Sequence, residues 1–133
     1  MARGSSSRKL AEHGLLLVFL MLLQGGVKQA AAQPREWYVG DQKGWTFGVM
    51  GWSNFKPFRE GDVLVFNYDP AMQNVIRVDD FGYGTCTRRP FYSTVYNSGH
   101  DRIRLPRGQI SFISGVSENC YKGGVKISLT VRP

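Results

Sequence analysis

The amino-acid sequence predicts an all-β fold, a small β-sandwich, from two observations. Short segments rich in β-branched and aromatic residues alternate with Gly, Pro, Asn and Asp, and none of them shows a sustained period of 3.6 residues. A chain of 133 residues with 42% apolar and 13% aromatic side chains fits one domain with a buried core. This composition excludes a disordered, collagen-like or coiled-coil protein.

Each strand is predicted from a β-type segment bounded by turn residues, and the spacing suits a sandwich. In chain order the predicted strands are Glu36–Val39, Val63–Asn67, Val75–Val78, Thr94–Tyr96, Arg102–Leu105, Gln109–Ser114 and Val125–Val131. The predicted turns are Asp41–Gly44, Tyr68–Pro70, Asn97–Gly99 and Pro106–Gly108. We expect short helical turns at Trp52–Phe55 and Asp80–Tyr83. Most of the large aromatic residues are assigned to the core, a set that comprises Trp37, Trp45, Phe47, Trp52, Phe66 and Phe112.

Residues 1–32 have the pattern of a secretory signal peptide. A basic stretch precedes the apolar run 15–23, which is too short to span a membrane, and the small residues Ala30–Ala32 follow. We place the cleavage site after this alanine run, so that residues 33–133 form the mature domain. The alternative is a buried N-terminal helix, but such a helix would lack a cap and would be apolar on every face.

The predicted mature domain is mildly basic, with 13 basic and 9 acidic side chains and a net charge of +4. Acidic residues interrupt most of the basic ones, so the pattern does not predict nucleic-acid binding. A charge of this size either keeps an exported protein soluble or attracts it to an acidic extracellular polymer such as a pectin-like wall polysaccharide. Residues 129–133 form no hydrophobic tail, so we expect no membrane anchor.

The two cysteines of the chain, Cys86 and Cys120, both lie in the predicted mature domain. In an exported protein they allow a single pairing, and we expect a disulfide. A bridge that closes a loop of about 35 residues stabilises a domain by roughly 3 to 4 kcal/mol in the chain-entropy model. The alternative is a free thiolate that acts as a nucleophile or a metal ligand.

The mature sequence carries no recognisable catalytic pattern. His100 is its single histidine, and no activated nucleophile accompanies it, so Ser/His/Asp and Cys/His catalysis have no visible basis. The adjacent acids Asp79 and Asp80 would point to opposite faces of a strand, which argues against a glycosidase pair. The run Gly82–Gly84 is not followed by the Lys of a phosphate loop, and we expect its glycines to allow a tight backbone near Cys86. We therefore expect no enzymatic activity.

An ordered series of motifs covers nearly the whole mature domain. These motifs are Trp37–Gly40, Gly44–Phe47, Phe58–Tyr68, Thr85–Cys86, Val95–Gly99, Asp101–Gln109 and Lys126–Ile127. With them the sequence resembles the phytocyanins, and within that family the plantacyanins. The resemblance implies a cupredoxin-like Greek-key β-sandwich with one disulfide, and Cys86 and Cys120 stand where the family's bridge stands.

The same resemblance implies four copper-ligand positions, and all four carry other residues in this chain. The two histidine positions hold Gln73 and Asn119, the cysteine position holds Ser114 and the axial methionine position holds Val125. A blue-copper centre needs two imidazoles and a thiolate, because that set stabilises both oxidation states of the metal. One turn histidine, His100, cannot supply them. We therefore expect no metal site and no copper cofactor.

The resemblance and the substituted ligands together predict a non-redox binding or signalling protein, secreted to the apoplast or cell wall and monomeric. Its partner would be an extracellular protein or a cell-wall polymer. The alternative is an electron-transfer protein of the plantacyanin type that binds copper through unorthodox ligands. In copper phytocyanins the end of the sandwich that bears the ligands contacts redox partners, and here residues 69–74 and 114–122 would form it. We expect recognition at that end.

Overall fold

The structure, a computed structural model, describes residues 33–133, and the predicted signal peptide lies outside them. The elements of this part are β1 (Glu36–Tyr38), β2 (Val63–Asn67), β3 (Val75–Val78), α1 (Asp80–Thr85), β4 (Val95–Tyr96), β5 (His100–Arg104), β6 (Gly108–Ile113) and β7 (Lys126–Val131). Short 3-10 segments occupy Asp41–Lys43 and Val49–Gly51. Within the described part of the chain, no helix is long and apolar enough to span a membrane.

The strands form two sheets that share a core. β1, β2 and β5 make a three-stranded sheet in that order, and β4, β3, β6 and β7 make a four-stranded sheet. β1 runs parallel to β2, whereas the other pairs are antiparallel. The all-β prediction is confirmed, and each predicted strand is present with bounds that differ by at most two residues.

The main core lies between the two sheets, because alternate side chains along each strand point inward. In β7 the odd-numbered residues are buried and the even-numbered residues are more exposed. At the centre of the core Phe66 packs edge-to-face against Trp45 and against Phe112, with ring centroids 5.1 Å apart in both pairs. The assignment of most aromatic residues to the core is correct for these three and for Trp37.

Of two local expectations in this region, one is confirmed and one is wrong. Residues Trp52–Phe55 form the expected turn, which continues the 3-10 segment Val49–Gly51, and Asn54 N donates to the carbonyl of Gly51 (3.2 Å). Phe47, which we expected in the core, is 50% exposed. The backbone N–H of Gly48 donates to the carbonyl of Gly123 (2.8 Å), and this contact holds Phe47 against the surface loop instead of between the sheets.

A second, smaller core lies on the outer face of the four-stranded sheet. Ile76, Val78 and Ile113 are buried there beneath α1. Cys86 and Cys120 are joined in a disulfide, as predicted, and this bridge packs against the same cluster. The bridge therefore attaches the segment after α1 to the loop between β6 and β7.

The helical turn expected at Asp80–Tyr83 is confirmed, because these residues begin α1, and the two adjacent acids stand at its start. Asp79 caps α1, because its side chain accepts a hydrogen bond from the N–H of Gly82 (2.8 Å), and Asp80 is the first helical residue. A Cβ on Gly82 would lie 2.8 Å from the carbonyl oxygen of Thr87, so the tight backbone expected here is confirmed at this glycine. At Gly84 nothing lies within 4 Å, and the same expectation is wrong there.

A buried carboxylate holds the end of the sandwich at which β1 and β2 begin, and we call this the Asp62 end. Asp62 is 3% exposed, and its side chain accepts hydrogen bonds from Trp37 Nε1 (2.9 Å), Arg35 N (3.0 Å) and Arg59 N (3.0 Å). Burial raises the pKa of Asp62, but the three hydrogen bonds outweigh it and leave the pKa below its ordinary value. The carboxylate thus ties the start of β1 to the segment that leads into β2.

Candidate functional site

The four positions that the resemblance matches to copper ligands come from separate segments, and the structure brings them together at one end of the sandwich. β3 and β7 begin where β6 ends, so Gln73, Ser114 and Val125 lie at the same edge. Ser114 N donates to the carbonyl of Val125 (2.9 Å), and Asn119 Nδ2 donates to Gln73 Oε1 (3.2 Å). We call these four residues the ligand-end cluster.

A tight turn after β2 directs Gln73 into the interior. The N–H groups of Met72 and Gln73 both donate to the carbonyl of Asp69, at 2.9 and 3.0 Å. The side chain of Asp69 accepts a further hydrogen bond from Ala71 N (2.9 Å), which is the local pattern that favours Asp at the start of a turn. The turn leaves Gln73 only 2% exposed.

The side-chain amides of Gln73 and Asn119 have a defined orientation. Asn119 Nδ2 donates to the carbonyl of Met72 (2.8 Å), so the atom that it meets on Gln73 must be the amide oxygen. Gln73 Nε2 is then left buried without a hydrogen-bond partner among the described residues. An unsatisfied buried donor of this kind costs about 1 to 3 kcal/mol.

Ser114 is a buried member of the ligand-end cluster, and its hydroxyl acts as a hydrogen-bond acceptor. It is 1% exposed, and its Oγ accepts weak hydrogen bonds from Asn74 N and Val116 N, both at 3.4 Å. Asn74 is itself fixed, because its carbonyl accepts from Trp45 Nε1 (2.8 Å) and its side chain accepts from Gly115 N (2.5 Å). The hydroxyl is thus surrounded by backbone N–H groups.

Val125 completes the ligand-end cluster as a fully buried hydrocarbon. Its side chain is 0% exposed and belongs to the main core. The preceding loop is closed by the carbonyl of Asn119, which accepts from the N–H groups of Gly123 and Val125, both at 3.1 Å. Cys120, joined to Cys86, anchors this loop to the second core.

The donor set of the ligand-end cluster does not fit a blue-copper centre. It offers two amides, one hydroxyl and one hydrocarbon, where such a centre needs two imidazoles and a thiolate. The Gln73 amide oxygen is already bonded, and the buried group without a partner is an N–H donor, which repels a cation. Within residues 33–133 no cluster of three or more His, Cys, Asp or Glu side chains could hold a metal ion.

His100 does not reach the ligand-end cluster. It is the exposed first residue of β5, and its Nδ1 is hydrogen-bonded to Asn67 Oδ1. Sequence reasoning missed the network behind this position, in which Asp101 is 8% exposed and accepts hydrogen bonds from Tyr68 and Ser98. Burial, together with the Asp101 carboxylate, raises the pKa of Tyr68. The only sequence signal for this network is the turn at 97–99, which is followed two residues later by the acid Asp101.

The surface around the ligand-end cluster is partly apolar. Three large apolar side chains are exposed here: Met72 (47%), Phe47 (50%) and Tyr121 (71%). Each lies in a loop that is held by backbone hydrogen bonds. The ion pair between Lys122 and Glu118 (2.8 Å) lies in the same loop as Tyr121. We call this the ligand-end surface. Exposed large apolar side chains that are rimmed by polar ones are typical of contact surfaces.

Comparison with known proteins finds a family model and several plant proteins that this chain matches. A family model described as a plastocyanin-like domain matches residues 45–124. Chemocyanin from Lilium longiflorum is 47% identical over 131 residues, which are 98% of this chain and 98% of that protein. A basic blue protein from Arabidopsis thaliana is 41% identical over 133 residues, again 98% of both.

A solved structure supports the same relationship. Cucumber basic protein, a blue copper protein, superposes with a TM-score of 0.69 at 43% identity, over 72% of this chain and 98% of that chain. The expected cupredoxin-like sandwich with one disulfide is thereby confirmed.

Proposed function

We propose a function from one premise: the chain belongs to the phytocyanin family, in its plantacyanin (basic blue protein) branch. That family consists of cupredoxin-like electron carriers and not of enzymes in the usual sense. For this chain we propose a different role, that of a secreted binding or signalling protein which carries neither copper nor electrons and catalyses no reaction.

The observation that carries this proposal is the ligand-end cluster. Gln73 and Asn119 are bonded to each other, Ser114 accepts only backbone hydrogen bonds and Val125 lies in the core. Neutral amide and hydroxyl groups have little affinity for copper, and no thiolate is available because both cysteines are in the bridge. The same segments are well ordered by their own hydrogen bonds, so the end of the sandwich keeps its shape as a recognition surface.

The proposed location is the apoplast or cell wall, with residues 1–32 acting as the signal peptide and residues 33–133 as the mature, monomeric domain. The disulfide supports this location, because such bridges persist in oxidising compartments. The partner would be an extracellular protein or wall polymer.

Copper uptake tests the first half of the proposal. The mature protein, purified from a secreting host, is incubated with Cu(II), dialysed and measured by absorption spectroscopy and metal analysis. We expect a colourless protein without stoichiometric copper. An intense thiolate-to-copper band near about 600 nm, which is typical of blue sites, or a full equivalent of tightly bound copper would contradict the proposal and favour an electron carrier with unorthodox ligands.

A variant that restores the family's ligands provides the matched control. It combines Gln73→His, Ser114→Cys, Asn119→His and Val125→Met, and we expect it to bind copper and turn blue under the same conditions. The control shows that the assay detects a blue site on this backbone. A wild type that binds copper as well as this variant would overturn the proposal.

Partner capture tests the second half. The mature domain is immobilised and exposed to wall and apoplastic extract, beside a variant with Gln73, Glu118 and Asn119 exchanged for Ala. A second variant, Glu60→Gln with Arg107→Gln, removes an exposed ion pair near the Asp62 end and serves as the control. We expect the ligand-end variant alone to lose partners. Recovery of an identical set with all three proteins would show that recognition does not occur at the ligand-end surface.

A further inference from the structure

A second surface of the domain exposes an unusual group of aromatic and arginine side chains. Phe81, Phe91 and Tyr92 are 58%, 81% and 75% exposed, and Arg88 and Arg89 lie between them in sequence. We call these five residues the arginine–aromatic surface, and none of them belongs to the ligand-end cluster. They line one open depression with a volume of about 550 Å³, which lies within the range of about 300 to 1,000 Å³ of small-molecule sites.

The backbone that carries this surface is rigidly held. Thr87 N donates to the carbonyl of Gly82 (3.0 Å), and Asp79 N donates to the carbonyl of Arg89 (2.8 Å). The backbone passes so close to Gly82 that a Cβ there would lie 3.2 Å from the Arg89 carbonyl. The disulfide at Cys86 fixes the start of the loop. The exposed side chains are therefore presented on a preformed scaffold, which lowers the entropic cost of binding.

The two guanidinium groups are positioned but not saturated. Arg89 lies over the ring of Phe81, with its Cζ 4.7 Å from the ring centroid, and only its Nε is paired, with Asp79 Oδ2 at 3.1 Å. Arg88 is held through its Nε and one terminal nitrogen, both directed at the carbonyl of Ser93. A guanidinium has five N–H donors in a planar fork that suits a carboxylate, so each arginine keeps donors for a ligand.

The aromatic rings offer flat apolar faces beside these donors. Phe91 and Tyr92 pack edge-to-face with centroids 5.5 Å apart, and each still exposes most of its surface to solvent. The electron-rich face of an aromatic ring attracts C–H groups of a sugar ring, which carry partial positive charge. Rings and guanidinium groups side by side can therefore bind the pyranose face and the carboxylate of one sugar acid.

A second depression continues the surface toward the four-stranded sheet. It shares Asp79 and Pro90 with the first, has a volume of about 430 Å³ and is lined by polar side chains that include Arg77, Ser93 and Gln109. Two adjoining depressions, one aromatic and one polar, form an elongated path. A chain of linked sugars fits such a path better than a single small molecule.

We propose that the arginine–aromatic surface binds an acidic polysaccharide, a polymer of pyranose rings that carry carboxylates. Arg88 and Arg89 pair with carboxylates, Phe81, Phe91 and Tyr92 pack against the ring faces, and the polar depression accommodates further sugar units. The domain's positive net charge attracts such a polymer from a distance.

Two acids lie in the proposed path: Asp79 lines both depressions, and Asp80 lines the polar one. Both carboxylate oxygens of Asp79 are already used, one by the N–H of Gly82 and the other by Arg89. Asp80 is exposed and repels an anionic chain. With Arg77, Arg88 and Arg89 against these two acids, the local charge stays positive.

This inference rests on the extracellular binding role proposed above and adds a second binding surface to it, and its test is separate from the copper test. A protein that takes up copper and still binds the polymer contradicts the proposed function and leaves this inference intact. A protein that takes up no copper and does not bind the polymer contradicts this inference and leaves the proposed function intact.

Calorimetric titration of the mature protein with polygalacturonate at about 0.15 M salt tests the proposal. The double variant Arg88→Gln with Arg89→Gln should bind about five-fold more weakly, because it loses two exposed ion pairs to the polymer. The matched control, Arg102→Gln with Arg107→Gln, removes the same charge from two other exposed arginines, each of which forms an ion pair within the domain. It should change binding by less than about two-fold.

Two further variants separate stacking and repulsion from net charge. Phe91→Ala with Tyr92→Ala should weaken binding about five-fold, because the polymer loses its packing against two rings. This loss should persist at high salt, since ring packing is not screened by ions. Asp80→Asn should strengthen binding by about two-fold. Each variant is first checked by its thermal unfolding midpoint, so that a folding defect is not read as lost binding.

Other polymers decide which chemistry is recognised. Fully methyl-esterified polygalacturonate, which keeps the rings without the charge, should bind much more weakly than the acid form. Polyglutamate, which keeps the charge without the rings, should also bind weakly. Equal binding of polyglutamate, an equal loss in the Arg102 and Arg107 control, or no binding of polygalacturonate to the wild type would each overturn the proposal.

Discussion

The two ends of the sandwich each contain a buried polar side chain, Asp62 at one end and Gln73 at the other, and the two side chains differ in how fully they are hydrogen-bonded. At the Asp62 end the carboxylate of Asp62 is 3% exposed and accepts hydrogen bonds from three donors on two segments. At the ligand end Gln73 is 2% exposed, yet its Nε2 has no partner among the described residues. One end is fully satisfied, whereas the other end retains an unpaired donor.

This difference indicates which end the fold depends on. Buried polar groups are normally paired because an unpaired one costs about 1 to 3 kcal/mol. Asp62 holds the starts of two strands and is an integral part of the fold. Gln73 contributes a cost instead, and the ligand end is held by the covalent bridge at Cys120 together with the hydrogen bonds of its loops. Such an end is free to serve recognition, in agreement with the proposed function.

Removal of the bridge should have the largest effect on stability. The double variant Cys86→Ala with Cys120→Ala should lower the free energy of unfolding by about 3 to 4 kcal/mol, because a loop with a sequence separation of 34 is no longer closed in the unfolded chain. Urea unfolding of secreted wild type and variant measures the difference. A loss below about 1 kcal/mol would show that the ligand end does not depend on its covalent link.

Asp62→Asn breaks the opposite end without a change of shape. It should cost about 2 to 4 kcal/mol, since N–H donors lose a charged acceptor and face an amide nitrogen. Asp41→Asn is the matched control, because Asp41 also accepts from a tryptophan, Trp52 Nε1 at 3.1 Å, but at an exposed position. The control should lose less than about 1 kcal/mol. Equal losses in the two variants would contradict the special role of the Asp62 end.

Acid unfolding sharpens the same contrast. The pKa of Asp62 is lowered in the folded state, so its contribution to stability is complete above its ordinary value of 3.8 and is lost as the pH falls through the folded pKa. As the pH falls from 5 to 2, the free energy of unfolding of the wild type should therefore decrease more than that of Asp62→Asn. Urea midpoints measured across this range check the prediction, and parallel pH profiles for the two proteins would be inconsistent with it.

Sequence alone predicts the framework of both ends but not their bonding. The strands are predictable because segments such as Arg102–Leu105 and Lys126–Val131 alternate polar with apolar residues, and this pattern depends only on local geometry. Gln73 and Asn119 can be matched to ligand positions by motif. Neither their mutual hydrogen bond nor the hydrogen bonds from Arg35 and Trp37 to Asp62 have a local signal, because these contacts join residues 25 to 46 positions apart.

The exposed aromatic residues show the same limit. Phe47 is as apolar as Phe66, and the sequence gives no reason to separate them. Phe66 alternates inward on β2, whereas Phe47 lies in a loop whose path is set by a hydrogen bond to Gly123. A residue on a strand can be assigned by its period, but a residue in a loop is placed by partners distant in sequence.

The smallest effect is expected at the ligand end itself. Gln73→Met removes the unpaired Nε2 and its cost of about 1 to 3 kcal/mol, but it also removes the hydrogen bond with Asn119, which is worth about 1 kcal/mol. Asn119 keeps its bond to the carbonyl of Met72, and the methionine side chain has nearly the same shape as glutamine. The two terms oppose each other, so stability should change by less than about 1 kcal/mol or rise slightly. Urea unfolding beside Asp62→Asn makes the comparison direct. If Gln73→Met lowered the free energy of unfolding as much as Asp62→Asn does, both ends of the sandwich would contribute equally to stability. That result would contradict the view that the ligand end is the one available for recognition.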